Sequence, residues 1–277
     1  MISIIIPTYN NLDYLKLCIK SINNNSSHAH ELIFHINDGS DGTMEFIKNN
    51  GYKFTHSDTN IGLCSSINKA SELASFEYIL YSHDDMYFCP NWDDVLIKEI
   101  RSLNNENFYL SGTMIEPNSG HIVYNFGDTI NNFREDELLS KYKDINFFDH
   151  QGSHFAPHLV SKKMWDKVGG FSEEFNPGIA SDPDFNMKLW KEGVRIFKGL
   201  NDFKVYHFGS LTTRKKKNFI QNRGDKTFLK KWGITTKFFK KYYLKSKTKY
   251  DGPLNEPKKT FNYFLDLFIC KIRLVFT

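Results

Sequence analysis

The stretch Ile2-Ser3-Ile4-Ile5-Ile6-Pro7-Thr8-Tyr9-Asn10, at the start of the chain, decides the fold class. Ile2–Ile6 is a short apolar run that ends at a proline, which is typical of a fully buried strand. In Leu12–Ile22 the residues at 12, 15, 19 and 22 are apolar, which is the spacing of an amphipathic helix. A second apolar run, Leu32–Ile36, follows. This order predicts a β-α-β unit with parallel strands.

The same alternation continues through the first 110 residues. The patterns predict helices over Gly42–Asn49, Leu63–Ala74 and Trp92–Leu103, and strands over Tyr52–Thr55, Tyr78–Tyr81 and Phe108–Leu110. We therefore expect an α/β fold with a Rossmann-like, mostly parallel sheet flanked by helices. Ligands of such sheets bind beyond the carboxyl ends of the strands.

Acidic residues follow three of the predicted strands. Asp38 follows the second strand, Asp58 the third, and Asp84-Asp85 the fourth. Carboxylates that meet at one edge of a sheet repel each other unless a cation lies among them. A hard divalent ion with oxygen ligands suits such an edge.

Each of these segments also has a plain structural interpretation. Asp84-Asp85 alone would fit a solvated loop, and Asp38-Gly39-Ser40 would fit a turn. In Ser181-Asp182-Pro183-Asp184, Asp182 would suit a helix N-cap and Pro183 the first helical position, so capping and catalysis are equally supported. His207 follows a predicted strand, Phe203–Tyr206, but a single histidine is more often structural than a ligand.

Known phosphate and calcium motifs are missing from the sequence. Neither G-x-G-x-x-G nor G-x-x-x-x-G-K-[ST] occurs, so dinucleotide and P-loop sites have no support. An EF-hand is excluded because Gly39 at loop position six would put Phe34 where the first Asp must be. A bound nucleotide would therefore be held by a metal and side chains.

The net charge of +4 is the sum of two opposed parts. Residues 201–277 carry 19 Lys and Arg against 5 Asp and Glu, a net +14, whereas residues 1–200 carry 17 against 27, a net −10. This asymmetry predicts an acidic body and a basic tail that faces an anionic partner. The composition, 40% hydrophobic and 25% charged, is that of a globular protein and excludes disordered and fibrous classes.

The cysteines and the N-terminus bear on the compartment. Cys18, Cys64, Cys89 and Cys270 are scattered, which argues against a disulfide framework or a zinc knuckle and fits a reducing compartment. No basic segment precedes Ile2–Ile6, and no apolar run approaches the ~18 residues of a membrane span. We expect a cytoplasmic protein, with peripheral contact to the inner face of a membrane as one interpretation.

Eight segments, taken together and in order, resemble the family 2 glycosyltransferases of the GT-A fold. They are I-I-I-P-T-Y-N (4–10), N-D-G-S-D-G-T (37–43), N-I-G (60–62), H-D-D-M (83–86), G-G-F (169–171), D-P-D (182–184), H-F-G-S (207–210) and K-W-G (231–233). Each is short, but eight in the family's order are specific. The resemblance covers residues 2–233 and implies sugar transfer from a nucleotide-sugar donor, with the acceptor open.

The resemblance also implies roles for individual residues. Asp85 and His207 would coordinate Mn²⁺ or Mg²⁺, and Asp182 would be the general base of a reaction that inverts the anomeric carbon. Asp38 would accept a hydrogen bond from a uracil-type imide, and Asp84 would lie nearer the ribose. The full set implied to bind the nucleotide sugar is Pro7, Thr8, Tyr9, Asp38, Asn60, Gly62 and Asp84.

Three departures from the family pattern matter. Asn37 stands where relatives usually have a first Asp, and it contributes no charge. Ser181 stands where many have Glu, which leaves Asp182 and Asp184 as alternatives for the base. The Q-x-x-R-W signature of processive synthases is missing, which favours a non-processive enzyme that adds a single sugar.

The C-terminal part has two interpretations. Residues 1–215 are predicted to be the catalytic domain and 216–277 a basic, aromatic, helical extension. Apolar residues recur at helical spacing within 258–277, which would suit either packing on the catalytic domain or an interfacial helix on anionic lipid. Nucleic acid is not expected, because no binding motif accompanies the charge.

The sequence thus predicts a metal-dependent, inverting, non-processive glycosyltransferase with a UDP-linked nucleotide-sugar donor and a glycan or lipid-linked acceptor. Residues 114–150 match no pattern, and within and just beyond them Glu135–Leu139 and Phe147–His154 lie where acceptor loops would sit. One alternative is a catalytically inactive relative that acts as a binding or scaffold protein. The other is a sugar-nucleotide pyrophosphorylase, which would need a Gly-rich, Arg-containing loop after the first strand.

Overall fold

A computed structural model describes residues 1–152, 154–209 and 217–276, with the backbone alone for 217–222. The predicted boundary at residue 215, Ser210 of the H-F-G-S segment and part of the basic run 214–217 lie outside the described residues.

Ten strands and ten α-helices make up the described chain. The strands are β1 Ile2–Tyr9, β2 Glu31–Asn37, β3 Lys53–Ser57, β4 Tyr78–Tyr81, β5 Met86–Phe88, β6 Phe108–Glu116, β7 Ile122–Val123, β8 His150–Gln151, β9 His158–Ser161 and β10 Ile196–His207. The helices are α1 Leu12–Asn25, α2 Thr43–Asn49, α3 Leu63–Ser71, α4 Trp92–Leu103, α5 Glu135–Lys141, α6 Lys162–Val168, α7 Ser181–Lys191, α8 Lys217–Trp232, α9 Thr236–Tyr242 and α10 Phe261–Val275.

All ten strands belong to one sheet, in which β1 is central to the N-terminal half. The strand order is β3-β2-β1-β4-β9-β6-β10-β5, with β7 beside β6 and β8 beside β10. Strands β3, β2, β1 and β4 are parallel, so their carboxyl ends meet at one edge. Every residue of β1 except Tyr9 is buried, as the apolar run at its start requires.

The second half of the sheet is mixed. Strand β9 lies antiparallel between β4 and β6, and β5 pairs antiparallel with β10. The long strands β6 and β10 are parallel to each other. The α/β class and the flanking helices are confirmed, although the short antiparallel strands were not predicted.

Several predicted elements have the observed bounds, and others are longer than predicted. Strand β4 and helix α4 match the predictions at both ends, whereas β6 continues past the predicted Leu110 to Glu116. The capping interpretation of Asp182 is wrong. Helix α7 begins at Ser181 after Ala180, which has a φ of +65°, and no side chain caps it.

The C-terminal helices pack on the sheet domain. Phe228, Phe238, Phe239 and Leu244 are buried in the same apolar core as the strands. A second, smaller core forms around residues 114–150, where Phe126 and Leu138 pack with Tyr206 and Phe208 at the end of β10. Among the described residues, no helix has both the length and the apolar character needed to cross a membrane.

Candidate active site

The residues predicted to bind the nucleotide base lie where β1 and β2 end. Tyr9 is exposed at the end of β1 and pairs in register with Asn37 of β2. Asp38 follows with a φ of +62°, and its carboxylate accepts hydrogen bonds from Asn10 Nδ2 at 2.9 Å and from the Ser40 backbone at 3.1 Å. These bonds lower the pKa of Asp38, so its carboxylate is ionised and can only accept hydrogen bonds.

Asn37 has a structural role that the sequence pattern did not indicate. Its buried amide donates to the Thr8 carbonyl at 3.2 Å and to Ser66 Oγ on α3 at 3.0 Å. Its oxygen accepts from the Ile61 backbone at 3.0 Å. The neutral amide therefore joins β1, α3 and the loop before α3, and a carboxylate could not donate to these acceptors.

Gly62 is required by packing as well as by its backbone. Its φ is +89°, and a Cβ at this position would lie 2.5 Å from Asn176 Oδ1. That Asn176 oxygen accepts from the Cys64 backbone at 2.9 Å, at the first turn of α3. Asn60 is exposed, and its side chain accepts from the Gly62 backbone at 2.9 Å. In the described structure Asn60 and Gly62 therefore set the conformation of the loop before α3.

Thr8 fixes the first of the two adjacent carboxylates. Its buried hydroxyl donates to Asp84 Oδ2 at 2.7 Å. Burial, and then the neighbouring charge of Asp85, raise the pKa of Asp84 to about 7. Pro7, the residue before Thr8 in β1, is buried. Two carboxylates in this setting favour a nearby cation.

Three residues at the carboxyl edge can hold a metal ion. His83, Asp85 and His207 each offer a ligand atom, and these atoms lie within 4.8 Å of one another. His207 comes from the end of β10, which pairs with β5 directly after Asp85, so the antiparallel pairing of these two distant strands brings the two residues together. His207 Nε2 is 3.2 Å from Asp85 Oδ1, and His83 Nδ1 is 3.9 Å from that same oxygen.

The electrostatics of this cluster suit a divalent cation. Burial lowers the pKa of His83 to about 4, so its imidazole is neutral and keeps a free lone pair. Burial disfavours the His207 cation, but Asp85 and Glu116 outweigh it and raise the pKa of His207 to about 10. The field at His207 is therefore strongly negative. His207 Nε2 is buried and has Asp85 Oδ1 at 3.2 Å, without a well-aligned hydrogen bond among the described residues, so a cation bound by Asp85 could take the place of the Nε2 proton.

Glu116 completes the surroundings of His207. Its Oε1 lies 2.5 Å from His207 Nδ1, and both side chains are buried. The other oxygen of Glu116 accepts from the Ser119 hydroxyl. The parallel pairing of β6 with β10, which matches Ile115 to Tyr206, places Glu116 beside His207.

Asp182 and Asp184 differ sharply in their surroundings. Asp184 is fully buried, and its carboxylate accepts from Ser172 Oγ at 2.6 Å and Trp232 Nε1 at 2.7 Å, with Lys231 Nζ at 3.1 Å. Asp182 Oδ1 is buried without a hydrogen-bond partner among the described residues. Burial raises the pKa of Asp182 to about 7. Only Asp182 therefore has an oxygen free to take a proton.

The Tyr81 hydroxyl senses the charges of both Asp182 and the Asp84-Asp85 pair. Burial, and then the charges of Asp182 and of Asp85 and Asp84, raise the pKa of the Tyr81 hydroxyl well above its usual value. The fields of Asp182 and of the Asp84-Asp85 pair thus reach the same side chain at the end of β4. The positive charge of Lys240 on α9 opposes the rise in the Asp182 pKa.

Two residues of the site were not assigned from the sequence. His83 was part of a recognised segment but had no role. Glu116 lay beyond the predicted end of its strand, and an isolated Glu carries no spacing signal. The pairing of β6 with β10 was needed to find it.

The fold and these side chains define a glycosyltransferase of the GT-A type. The chain belongs to glycosyl transferase family 2, whose profile matches residues 3–159. The prediction of family and enzyme class is therefore confirmed.

Similar proteins agree with this family. The chain is 27% identical over 234 residues to a chondroitin synthase of Pasteurella multocida, covering 79% of this chain and 22% of that protein. It is 29% identical over 213 residues to an uncharacterized glycosyltransferase of Rickettsia typhi, covering 74% and 62%. The chain thus spans less than two thirds of either relative.

Solved structures show the same fold. S. aureus TarS 1–349 superimposes with a TM-score of 0.56 at 18% identity, covering 74% of this chain and 60% of that one. GalNAc-T7, solved with UDP, GalNAc and Mn²⁺, gives a TM-score of 0.57 at 13% identity, covering 75% and 43%.

The Asp184 contacts lead to a stability prediction. Asp184→Ala should lower the free energy of unfolding by about 1–3 kcal/mol, because the Ser172 hydroxyl and Trp232 Nε1–H lose their buried acceptor, while Lys231 keeps its ion pair with Glu174 at 2.8 Å. Urea unfolding followed by tryptophan fluorescence measures the change. The matched variant Asp182→Asn, two residues away, should be at least as stable as the wild type above pH 7, because ionisation of a carboxyl with a raised pKa costs stability as the pH rises. Equal urea midpoints for Asp184→Ala and the wild type would contradict this role.

Proposed function

We propose that this chain is a metal-dependent, inverting, non-processive glycosyltransferase that moves one sugar from a UDP-linked donor to an acceptor hydroxyl. The observation that carries the proposal is the presence, around Tyr81 at the end of β4, of a cluster that can hold a cation and of Asp182, whose Oδ1 has no hydrogen-bond partner among the described residues. The first can neutralise a leaving diphosphate and the second can activate an acceptor.

The nucleotide would lie over the ends of β1 and β2. Tyr9 offers an exposed aromatic ring, and the ionised Asp38 can accept a hydrogen bond from the imide N–H of uracil. Asp84, whose Oδ2 accepts a hydrogen bond from Thr8, would lie next to a ribose hydroxyl. The UDP and UDP-GlcNAc complexes of TarS support this choice of donor.

Asp85 and His207, with His83, would hold Mn²⁺ or Mg²⁺. The Mn²⁺ present in the GalNAc-T7 structure supports a divalent ion. When bound, such an ion neutralises charge that develops on the leaving diphosphate. Asp85 and His207 are buried, so packing would hold their ligand atoms close together before the ion binds.

Asp182 would take the proton of the acceptor hydroxyl as it attacks the anomeric carbon. A single displacement of this kind inverts the configuration and needs one base. The base needs an oxygen that is not already bonded, which favours Asp182 over Asp184. A pKa near 7 also suits a base that works near neutral pH.

The acceptor would be a glycan or a lipid-linked sugar. Phe155 is exposed, and Lys240 Nζ lies 5.7 Å from the centre of its ring. Because the charge of Lys240 also acts on Asp182, Phe155 and Lys240 would line the acceptor site beside the proposed base. Glu135–Leu139 and Phe147–His154 remain the predicted source of further acceptor contacts. We propose a cytoplasmic location with peripheral membrane contact through residues 258–277.

The metal requirement is tested by UDP release. The purified protein, incubated with a panel of UDP-sugars and simple sugar acceptors, should release UDP with Mn²⁺ or Mg²⁺ and not with EDTA. Asp85→Asn should lose metal-dependent donor binding, because a neutral amide binds a hard cation weakly. The control is Asp94→Asn on α4, where an exposed Asp contacts His28. Absence of UDP release from every donor with either ion would favour the inactive scaffold.

The base is tested by substitution and by pH. Asp182→Asn should leave donor binding intact and slow transfer by about 10²-fold or more. The wild-type rate should rise with pH and level off above about 7, because a base is active only when it is deprotonated and burial raises this pKa. The variant's residual rate should lack this inflection. Asp166→Asn, at an exposed site on α6, is the matched control. Wild-type turnover in Asp182→Asn would remove Asp182 as the base.

A further inference from the structure

Helix α10 is apolar on two opposite sides, and only one of them is covered. On the inner side Tyr263 and Cys270 are buried. The Tyr263 ring packs on Phe238 and Tyr242 of α9, with centroids 5.0 Å and 5.1 Å apart. These contacts fix the helix to the rest of the chain.

The opposite side, called here the outer stripe, is exposed. Its members are Phe261, Phe264, Leu265, Phe268, Ile269, Ile272, Val275 and Phe276. At roughly 100° per residue they fall within an arc of about 140° on the helix. Phe261, Phe268 and Phe276 are 82%, 60% and 84% exposed. A contiguous apolar surface of this kind marks an interaction site rather than scattered surface residues.

The charges around the outer stripe are basic. Lys258 and Lys259 precede the helix and Lys271 borders the stripe, and all three are exposed. Asp266 is the one acidic residue of α10. Its carboxylate is turned to α9, where it accepts from Lys241 Nζ and Tyr242 Oη, both at 2.7 Å. The exposed side of the helix therefore presents apolar side chains and positive charge without a carboxylate.

This combination favours an anionic lipid surface over a protein partner. A protein interface would use polar groups for specific contacts, whereas all eight members of the outer stripe are hydrocarbon side chains. Basic residues beside an apolar stripe are the pattern of helices that lie in the membrane interface. The helix is about 22 Å long, which suits lying in the interface rather than spanning the bilayer. The net +14 of residues 201–277, against −10 for residues 1–200, would turn this end toward anionic headgroups.

We propose that the outer stripe of α10 lies in the interface of a membrane that contains anionic lipid, with Lys258, Lys259 and Lys271 at the headgroups. This inference deepens the proposed peripheral contact by assigning it to one face of one helix, and it does not depend on the transfer reaction.

Vesicle flotation tests the surface. The full chain should float with phosphatidylcholine vesicles that contain phosphatidylglycerol, less so with pure phosphatidylcholine, and less at high salt. Phe264→Glu with Phe268→Glu should reduce the bound fraction at least about tenfold, because two large apolar side chains no longer enter the interface. Lys258→Glu with Lys259→Glu should remove the dependence on phosphatidylglycerol.

The control for flotation is Val123→Glu, an equally drastic change at a residue of β7 that is exposed outside the stripe. It should float like the wild type, and circular dichroism should show all variants folded. Failure of the wild type to float at low salt would overturn the proposal. A dimer in sedimentation that Phe264→Glu with Phe268→Glu dissociates, without vesicle binding, would identify a second copy as the occupant and also overturn it.

A second inference comes from the contacts of Glu116, which are separate from the outer stripe, and it rests on the proposed metal site. We infer that Glu116 is a positioning residue that aims His207 at the cation. Its carboxylate fixes His207 Nδ1, so Nε2 is the nitrogen that faces Asp85 and His83. Ser119 holds the other oxygen of Glu116, so the carboxylate cannot turn away. A carboxylate behind a ligating histidine sets its orientation and raises its basicity.

Direct Mn²⁺ binding, followed by electron paramagnetic resonance or calorimetry, tests Glu116. Glu116→Gln should weaken Mn²⁺ roughly tenfold and Glu116→Ala up to about 100-fold. The control is Asp93→Asn, which alters another buried Asp–His pair, with Asp93 Oδ2 3.1 Å from His30 Nε2. That variant should lose stability and keep its Mn²⁺ affinity.

The outcomes separate this inference from the proposed function. A wild-type protein that does not bind Mn²⁺ or Mg²⁺ would overturn the metal dependence and the role of Glu116 together. Wild-type affinity in a folded Glu116→Ala, or an equal loss in Asp93→Asn, would overturn the role of Glu116 alone.

Discussion

Repulsion between two adjacent carboxylates organises this site. Asp84 and Asp85 follow the buried strand β4, where burial and mutual charge raise the pKa of Asp84 to about 7. Side chains from three strands offset the free-energy cost of burying two adjacent carboxylates. Thr8 of β1 donates to Asp84, and His207 of β10 lies against Asp85, with Glu116 of β6 behind it. A site with this excess of negative charge is better suited to a cation than to solvent.

The loops that follow β2 and precede α3 are held together by neutral amide side chains, which add no charge near the two carboxylates. Asn37 donates to Thr8 and Ser66 and accepts from Ile61, so it uses both ends of its amide. An Asp here would add a further negative charge near Asp84 and leave the Thr8 carbonyl without this donor. Asn176 performs a similar function in the space beside Gly62. The departure at Asn37 therefore has a physical reason in this chain.

Local patterns predicted those elements whose signal lies within the element itself. Strand β4 and helix α4 have the expected bounds, since an apolar run and a helical stripe are complete within each. The short antiparallel strands β5 and β9 have no such signal, because their pairing depends on partners far along the chain. The same holds for the site. Asp84-Asp85 could be recognised from its strand, whereas the choice between Asp182 and Asp184 depends on Trp232, about fifty residues later. Glu116 needed the register of β6 against β10.

The C-terminal extension has more than one physical connection to the proposed catalytic centre. Trp232 and Lys231 of α8 hold Asp184, and Asp184 anchors the helix on which Asp182 stands. Lys240 of α9 contributes the positive field that limits the rise in the Asp182 pKa. Phe238 of α9 is buried in the core and also supports Tyr263 of α10. The inner side of α10 is thus joined through α9 to the surroundings of the proposed base. The same helix carries the outer stripe on its other side, so a surface that covers the stripe would bind one side of a helix whose other side packs on α9.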